Sequence, residues 1–382
     1  MAIGSGTCYV LELQTGQITL ETPGFDGVSA DGESDTPGIS ADGRFVVFES
    51  VAGNLTERRI PSGMPRVFLR DRASRTTRLL SATPTGDPLN ALSTNPAISA
   101  DGTTVVFESA ATDVFGPSDP GGHGSGRLYL FRPSAGTRMR VDVSDGTAQR
   151  TAQTTGASIS ADGRYVAFMS RDDLSAGDTA RSAGEPPDRN GMADIYLRDT
   201  EACLTRRISR SQSRDDADGS SYQPAISGDG RYIAFVSEAS NLVPGTRKGL
   251  PHVYLHDTAT GATTLVSHTP RGRPANGASL RPTVSRNGGI VAFQSLASDL
   301  VCDAKCPPDE DDTNLLPDVF VYDVAARRAM RASTNGREVW MEYSRAPSVD
   351  DSGRVCAFAS PHPVDERDEA HDEDLFLWRR DH

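Results

Sequence analysis

The residues Pro224-Ala-Ile-Ser-Gly-Asp-Gly-Arg-Tyr-Ile-Ala-Phe-Val-Ser237 decide the fold of this chain. Two short apolar runs, residues 225–227 and 232–236, flank an Asp-Gly pair, and the second run is rich in aromatic and β-branched residues. Such residues favour strands, and Gly230 supplies the positive φ that a tight turn requires. The stretch therefore predicts a β-hairpin.

The same hairpin occurs six times along the chain. Its copies start near residues 37, 96, 157, 224, 282 and 347. Each copy has a turn glycine: Gly43, Gly102, Gly163, Gly230, Gly288 and Gly353. Each also has a phenylalanine in its second strand: Phe48, Phe107, Phe168, Phe235, Phe293 and Phe358. The spacing of 58 to 67 residues between turn glycines indicates a repeat architecture, with a single domain over residues 1–382.

Two further strands complete each repeat. After the hairpin (strands A and B) come a Val-Tyr-Leu-x-Asp strand C and a Thr-Thr-Leu-Val-Ser strand D, as in residues 253–267. Strand B is apolar on both faces, as expected for a strand packed between neighbouring sheets. The sequence therefore predicts an all-β, six-bladed β-propeller of four-stranded antiparallel blades.

The sixth repeat has no sequence for strand D. Residues 7–21 read as strand, Thr-Gly turn and strand, like strands C and D of the later repeats. We expect these residues to complete the last blade, so that N- and C-terminal strands close the ring and no edge strand is left exposed.

Composition excludes several classes of function. The chain has 382 residues, 36 Gly and 24 Pro, and a formal net charge of −13, which argues against a nucleic-acid partner. No apolar run is long enough to span a membrane. The first residues lack the basic and apolar regions of a signal peptide, so none is expected in this sequence.

The repeated Pro-x-Ile-Ser-x-Asp-Gly-Arg-x-Val-Ala-Phe-x-Ser, followed by Asp-Val-Tyr-Leu-x-Asp, resembles the PD40 (WD40-like) repeats of TolB-like six-bladed propellers. The resemblance covers about residues 7–380. Relatives of this type include a periplasmic translocation protein that binds protein partners and propellers attached to peptidases. The resemblance implies a periplasmic or secreted protein that binds a protein partner.

Loop lengths indicate where a site would lie. The A–B and C–D turns are short, whereas the B–C and D–A loops are long, for example residues 171–193 and 210–223. Function usually resides on such loops. Three residues before each predicted strand A stands a hydroxyl that would line the channel mouth: Ser34, Ser93, Thr154, Ser221, Ser279 and Ser344. These hydroxyls either contact a ligand or satisfy local backbone groups.

Two segments resemble cation sites. Asp188, Asn190 and Asp194 precede strand C of the third repeat, and Asp312, Asn314 and Asp318 repeat the spacing in the fifth. Oxygen ligands at positions 1, 3 and 7 could converge on Ca²⁺ if backbone carbonyls and water completed the shell. The alternative is an Asx-turn that leads into a strand.

Other candidate residues are weaker. Trp340 and Tyr343 lie in a D–A loop and are predicted to form a partner-binding loop or to pack beneath it. His252 and His256 are too far apart along a strand to share a metal ion. Cys302 and Cys306 flank a short loop and could form a disulfide in an oxidising compartment.

Enzyme motifs were not found: the sequence has no Gly-x-Ser-x-Gly elbow, phosphate-binding loop or His-Glu-x-x-His. A non-catalytic binding scaffold for a protein partner is therefore the first hypothesis. A Ca²⁺-stabilised propeller that binds carbohydrate or a cell-surface polymer is the second. A lyase or hydrolase with an axial site is the third.

Overall fold

The computed structural model describes residues 2–3, 6–25, 27–116, 126–143, 154–174, 187–213, 215–302, 316–334, 343–361 and 374–380. Strands are the regular elements of these ranges, and within them no helix is long and apolar enough to cross a membrane. Two compact units divide the chain. The first comprises Met1–Val166, Ser170–Glu185 and Arg198–Thr205, and the second comprises Ala167–Met169, Pro186–Leu197 and Arg206–His382.

The first unit begins with a three-stranded sheet of order β1-β2-β3, with strands Ala2–Ile3, Tyr9–Leu11 and Ile18–Leu20. The first blade follows as β4 to β7, with strands Ser34–Ile39, Phe45–Ser50, Arg66–Asp71 and Thr76–Leu79. The second blade is β8 to β11, with strands Ser93–Ile98, Val105–Ser109, Arg127–Arg132 and Thr137–Arg140. Both blades are antiparallel, with strands paired in chain order.

The third blade is β12 to β15, with strands Thr154–Ile159, Tyr165–Ser170, Asp194–Asp199 and Leu204–Arg207. The second unit then contains the fourth blade, β16 to β19, with strands Ser221–Ile226, Tyr232–Ser237, His252–Asp257 and Ala262–Leu265. The fifth blade is β20 to β23, with strands Ser279–Val284, Ile290–Ser295, Asp318–Asp323 and Arg328–Arg331. The last sheet is β24 to β26, with strands Arg345–Val349, Val355–Ser360 and Asp374–Arg379.

The predicted fold class is confirmed: the chain is all-β, and its six repeats form the antiparallel blades of a propeller. The hairpin predicted within residues 7–21 is present as β2 and β3. Val10 and Cys8 from this region pack with Phe48 and Phe68 of the first blade, as strands of a preceding blade would. Completion of the last blade by residues 7–21 stays a prediction.

Strand A begins three residues earlier than the sequence indicated, at the hydroxyl residue, in five of the six repeats. The reason is a bulge before the proline position, such as the register shift between Tyr222 and Ala225. The residue at each bulge has positive φ: Thr36, Asn95, Gly156, Gln223, Arg281 and Ala346. A proline lacks the N–H for continuous pairing, and the bulge lets the strand continue past it.

The repeated Ser-x-Asp-Gly-Arg builds the A–B turn. In the first blade the Ser40 hydroxyl donates to Asp42 at 2.6 Å and accepts from the amide of Phe45 at 2.9 Å. The Arg44 guanidinium then reaches Asp71 at the end of strand C, with contacts of 2.9 and 3.2 Å. The same clamp joins Arg164 to Asp199 and Arg231 to Asp257. The motif therefore explains the architecture and not an activity.

The core lies between the sheets. Phe235 is fully buried and stacks on Tyr254, its cross-strand partner, with ring centroids 5.7 Å apart. Gly288 has a φ of 70° and lies against the neighbouring blade, where a Cβ would come within 2.0 Å of the Tyr232 ring. The recurring turn glycine thus serves both the turn and the packing of one blade on the next.

Candidate binding surface at the loop ends of the blades

Each blade has two ends: the turn end, where the A–B and C–D turns lie, and the loop end, where the B–C and D–A loops lie. Large hydrophobic side chains are exposed at the loop end in both units. In the first unit they are Phe25, Val28, Leu92 and Phe115, and in the second they are Leu296, Leu316 and Tyr343. The remaining exposed ones belong to β2, β3 and their turn: Tyr9, Leu13, Ile18 and Leu20. None of the described A–B or C–D turn residues of the six repeats is in this group.

The loops that carry these side chains are tied to each other. Asn276 in a D–A loop accepts a hydrogen bond from the amide of Ser298 at 3.0 Å and donates to its hydroxyl at 2.9 Å. The amide of Asn276 in turn donates to Asp299 in the B–C loop. The equivalent pairs in other blades are Asp31 with Asn54, Asn90 with Asp113, and Asp218 with Asn241. Side-chain bonds of this kind join the described D–A and B–C loop residues of the first, second, fourth and fifth blades.

The six predicted channel-mouth hydroxyls are all buried. The Ser221 hydroxyl contacts that of Ser237, at the end of strand B, at 2.9 Å. The same pairing joins Ser34 to Ser50, Ser93 to Ser109, Thr154 to Ser170 and Ser279 to Ser295. Ser344 is buried too, and the neighbouring Ser360 hydroxyl donates to the Tyr343 carbonyl oxygen at 3.0 Å. Five of the six hydroxyls thus pair inside their blades, the Ser344 hydroxyl has no hydrogen-bond partner among the described residues, and ligand contact through any of them stays a prediction.

The predicted cation site of the third repeat contains an arginine. Asp188 and Asp194 converge as the spacing indicated, but on the buried guanidinium of Arg207, whose Nη1 lies 3.0 Å from Asp188 Oδ1 and 3.3 Å from Asp194 Oδ2. Its Nη2 donates to Asp216 at 2.6 Å. The Asn190 side-chain oxygen accepts a hydrogen bond from the amide of Met192, which makes an Asx-turn. The Asn190 side-chain amide donates to the carbonyl oxygen of Ala217. As arranged, these residues fit a guanidinium and not Ca²⁺.

The charge balance of this cluster is unusual. Burial raises the pKa of Asp194 to about 6, and the nearby Asp188 carboxylate raises it further, against the hydrogen bond from Ser209 and the charge of Arg207. In the fifth blade Asp318 takes the same place, with Ser333 donating to it at 2.7 Å and Arg331 3.7 Å away. Its predicted co-ligands, Asp312 and Asn314, lie outside the described residues. Within the described part of the chain, no three acidic, His or Cys side chains are arranged to hold a metal ion.

The second blade buries a different set of charges at the same end. Arg127 is 1% exposed, and its Nη1 lies 3.7 Å from Asp142 and 3.9 Å from Asp172. Burial raises the pKa of Asp142, although Arg140 donates to it at 3.1 Å. A buried layer of charge thus underlies the loop end and differs between blades.

The remaining candidates are separate from one another. Tyr343 is 38% exposed, with the Arg345 guanidinium 5.9 Å from its ring centre, whereas Trp340 lies outside the described residues. His252 contacts Ser267 and His256 contacts Thr263, so the two rings have different hydrogen-bond partners. Cys302 is disulfide-bonded, and Cys306 lies outside the described residues.

Two features were missed from the sequence. The loop-to-loop ties have a visible signal, because an Asp or Asn stands three residues before the strand-A hydroxyl and another stands four residues after the strand-B serine. The partnership of Arg207 with Asp188 and Asp194 has no such signal, since it depends on how strands C and D pair.

Among solved structures, the chain is similar to a TolB structure and to two peptidases, each at less than 25% identity. The chain is similar to TolB from Acinetobacter baumannii, with a TM-score of 0.45, 17% identity, and coverage of 88% of this chain and 61% of that one. It is similar to a prolyl endopeptidase, with a TM-score of 0.56, 12% identity, and coverage of 97% and 46%. It is also similar to an acylaminoacyl peptidase from Pyrococcus horikoshii, with a TM-score of 0.50, 10% identity, and coverage of 91% and 44%.

These identities establish the fold alone. The chain spans less than two thirds of the length of the three relatives named, so their activities do not transfer with it. No protein-family profile and no curated protein matches the chain.

Proposed function

We propose that this protein is a non-catalytic binding scaffold that recognises a protein partner through the loop ends of its blades. One observation carries the proposal: outside β2, β3 and their turn, the exposed large hydrophobic side chains of the described residues lie at that end. Exposed apolar side chains mark protein–protein contact sites where they form a contiguous patch, and the proposal is that the loop-end side chains form such a patch.

Rigidity of the loop end supports the same reading. The Asn276–Ser298 bonds and their counterparts join the loops that carry Phe25, Leu92 and Leu296, so that these side chains are positioned before a partner arrives. Less conformational entropy is then lost on binding. A glycan site would instead need exposed aromatic rings beside polar groups, and among the described loop residues Tyr343 with Arg345 is such a pair.

Photo-crosslinking tests the proposal. A photoreactive amino acid is introduced at Leu92 or Leu296 at the loop end, and at Thr103 or Thr260 at the turn end as matched exposed controls. We expect one protein to be crosslinked from the loop-end positions and not from the controls. Equal yields from both ends would overturn the proposal. For a partner so identified, Leu92→Ser should weaken binding by about tenfold, the effect of one moderate hot spot.

A periplasmic or secreted location is part of the proposal. The family resemblance implies it, and the disulfide at Cys302 supports it because such bonds persist in oxidising compartments. Thiol labelling of protein from its native cells, before and after reduction, tests this. A Cys302 thiol that is freely labelled without reduction would contradict it.

Ca²⁺ at Asp188, Asn190 and Asp194, with a second ion at Asp312, Asn314 and Asp318, is kept as a separate proposal. It requires Arg207 to move away from the carboxylates. Melting is measured with added Ca²⁺ and with a chelator, in the parent protein and in Asp188→Ala and Asp312→Ala. At a hundredfold excess over Kd, a bound ion would stabilise the protein by about 2.7 kcal/mol. Absence of any shift in the parent leaves the ion pairs and Asx-turns as the explanation.

A further inference from the structure

A cavity of about 660 Å³ lies at the turn end of the first blade, where strand β3 meets the A–B and C–D turns. Four of the residues that line it are arginines: Arg44, Arg70, Arg72 and Arg75. The lining carboxylates are Glu21 and Asp42. In a chain with a net charge of −13, a cavity with more cationic than anionic side chains stands out.

Two of these arginines form the frame of the cavity. The Arg72 guanidinium donates to Glu21 at 2.6 Å, to the Gly43 carbonyl oxygen at 2.8 Å and to the Thr19 hydroxyl at 3.1 Å. Arg44 is held by its bidentate contact with Asp71. Both guanidinium groups are therefore fixed by partners within the unit.

The positive charges of the other two arginines are less fully balanced by nearby carboxylates. Arg70 is mostly buried and donates through Nη1 to the Arg75 carbonyl oxygen and to Thr77, while its Nε lies 3.9 Å from Glu21 without a hydrogen-bond partner among the described residues. Arg75 is exposed on the C–D turn, at a positive φ of 57°. Burial lowers the pKa of Arg70, the Glu21 carboxylate raises it, and the charge of Arg75 lowers it again, so Arg75 opposes the charged form of Arg70 at close range.

We propose that this cavity binds a small molecule through a carboxylate or phosphate group placed between Arg70 and Arg75. An oxyanion there would relieve the repulsion between the two cations and accept the hydrogen bonds that planar guanidinium groups offer in pairs. The volume suits a small ligand rather than a polymer.

The arrangement is particular to the first blade. The positions of Arg70, Arg72 and Arg75 are occupied by Phe131, Pro133 and Gly136 in the second blade and by His256, Thr258 and Gly261 in the fourth. The third and fifth blades each keep one arginine of the three, Arg198 and Arg327 respectively. Turn geometry alone therefore does not require the triplet. The site lies at the end of the blade away from the proposed protein-binding loops. Oxyanion binding here can therefore be tested independently of protein binding at the loop end.

Calorimetric titration of the full chain at low ionic strength tests the inference, with sodium phosphate, citrate and glucuronate as probes and sodium chloride at matched ionic strength as the reference. We expect at least one oxyanion to bind with a stoichiometry of one. Phosphate binding alone would identify a phosphorylated ligand, and binding of the two carboxylates alone would identify an organic acid. No heat beyond that of chloride would overturn the proposal.

Arg75→Gln is the central variant, because the side chain is exposed and its loss leaves the core intact. Its Kd should rise by about tenfold, the effect of one charge-assisted hydrogen bond. Arg327→Gln is the matched control, since Arg327 has the same place and a positive φ of 53° in the fifth blade. Asp42→Asn removes a negative charge at the rim and should lower the Kd. An equal loss of affinity in Arg327→Gln, or a higher Kd in Asp42→Asn, would contradict the assignment.

Discussion

Carboxylates at the turn end and at the loop end of the blades have pKa values that are shifted in opposite directions. At the turn end, the hydrogen bonds from Arg44 and Arg231 lower the pKa values of Asp71 and Asp257 to about 2. At the loop end, burial raises the pKa of Asp194 to about 6. The turn end uses half-exposed ion pairs to repeat one architecture, whereas the loop end buries charges that change from blade to blade. Differences between the blades in buried charge are therefore concentrated at the loop end, and the arginine-lined cavity of the first blade is the exception at the turn end.

The largest effect should come from the core that both ends share. Phe235→Ala removes a fully buried ring and should cost about 3–5 kcal/mol of unfolding free energy. Phe25→Ala, at the loop end, removes a ring that is 61% exposed and should cost less than about 0.5 kcal/mol. Denaturant unfolding measures both. A cost below about 1 kcal/mol for Phe235→Ala would mean that strand B is not the centre of the blade.

Two substitutions compare the buried ion pairs of the loop end with the exposed ion pairs of the turn end. Arg207→Met leaves Asp188, Asp194 and Asp216 close together without a cation, and should cost about 3 kcal/mol or more. Arg231→Met breaks an exposed pair with Asp257 at the turn end and should have a much smaller effect. Equal losses in the two variants, measured by denaturant unfolding, would remove the distinction between the ends.

Two glycines with similar backbone angles test how much the contact between neighbouring blades at the turn end contributes to stability. Gly288→Ala strains a φ of 70° and places a methyl group 2.0 Å from the Tyr232 ring, so we expect a cost of about 2–3 kcal/mol. Gly272→Ala in a D–A loop has a φ of 76° with nothing within 4 Å, and should cost about 1 kcal/mol. If thermal melting shows the same loss for both, the contact between blades contributes nothing.

The smallest expected effect is in the pH dependence. Asp257, with a pKa lowered from 3.8 to about 2, stabilises the fold above that range, and its contribution is lost as the pH falls from about 4 to about 2. Asp194, with a pKa raised to about 6, has the opposite sign: its contribution is lost as the pH rises from about 4 to about 6. In a plot of melting temperature against pH, Asp257→Asn should reduce the change between about pH 2 and pH 4. Asp194→Asn should reduce the change between about pH 4 and pH 6. Interchanged effects would contradict the assigned environments.

The sequence was sufficient for the repeat, because its signals are local. The Asp-Gly turns, the strand-B phenylalanines and the alternation of turns with loops each depend on residues close together in the chain. The start of strand A was wrong by three residues, since a bulge such as that at Gln223 depends on pairing with strand B. Arg207 could not be assigned to Asp188, because they are neighbours only after strands C and D have paired.

The Arg–Asp clamp of the turn end has a consequence for how such a chain can be rearranged. In the first, third and fourth blades both partners belong to one blade, and the second blade lacks both, with Thr103 and Arg132 in their places. In the fifth blade Asp323 is bound instead by Arg380 of the following sheet. A repeat that contains both clamp residues could therefore be duplicated, deleted or grafted elsewhere with its clamp complete. The fifth repeat is the exception, because it would have to be moved together with the last sheet, which supplies Arg380.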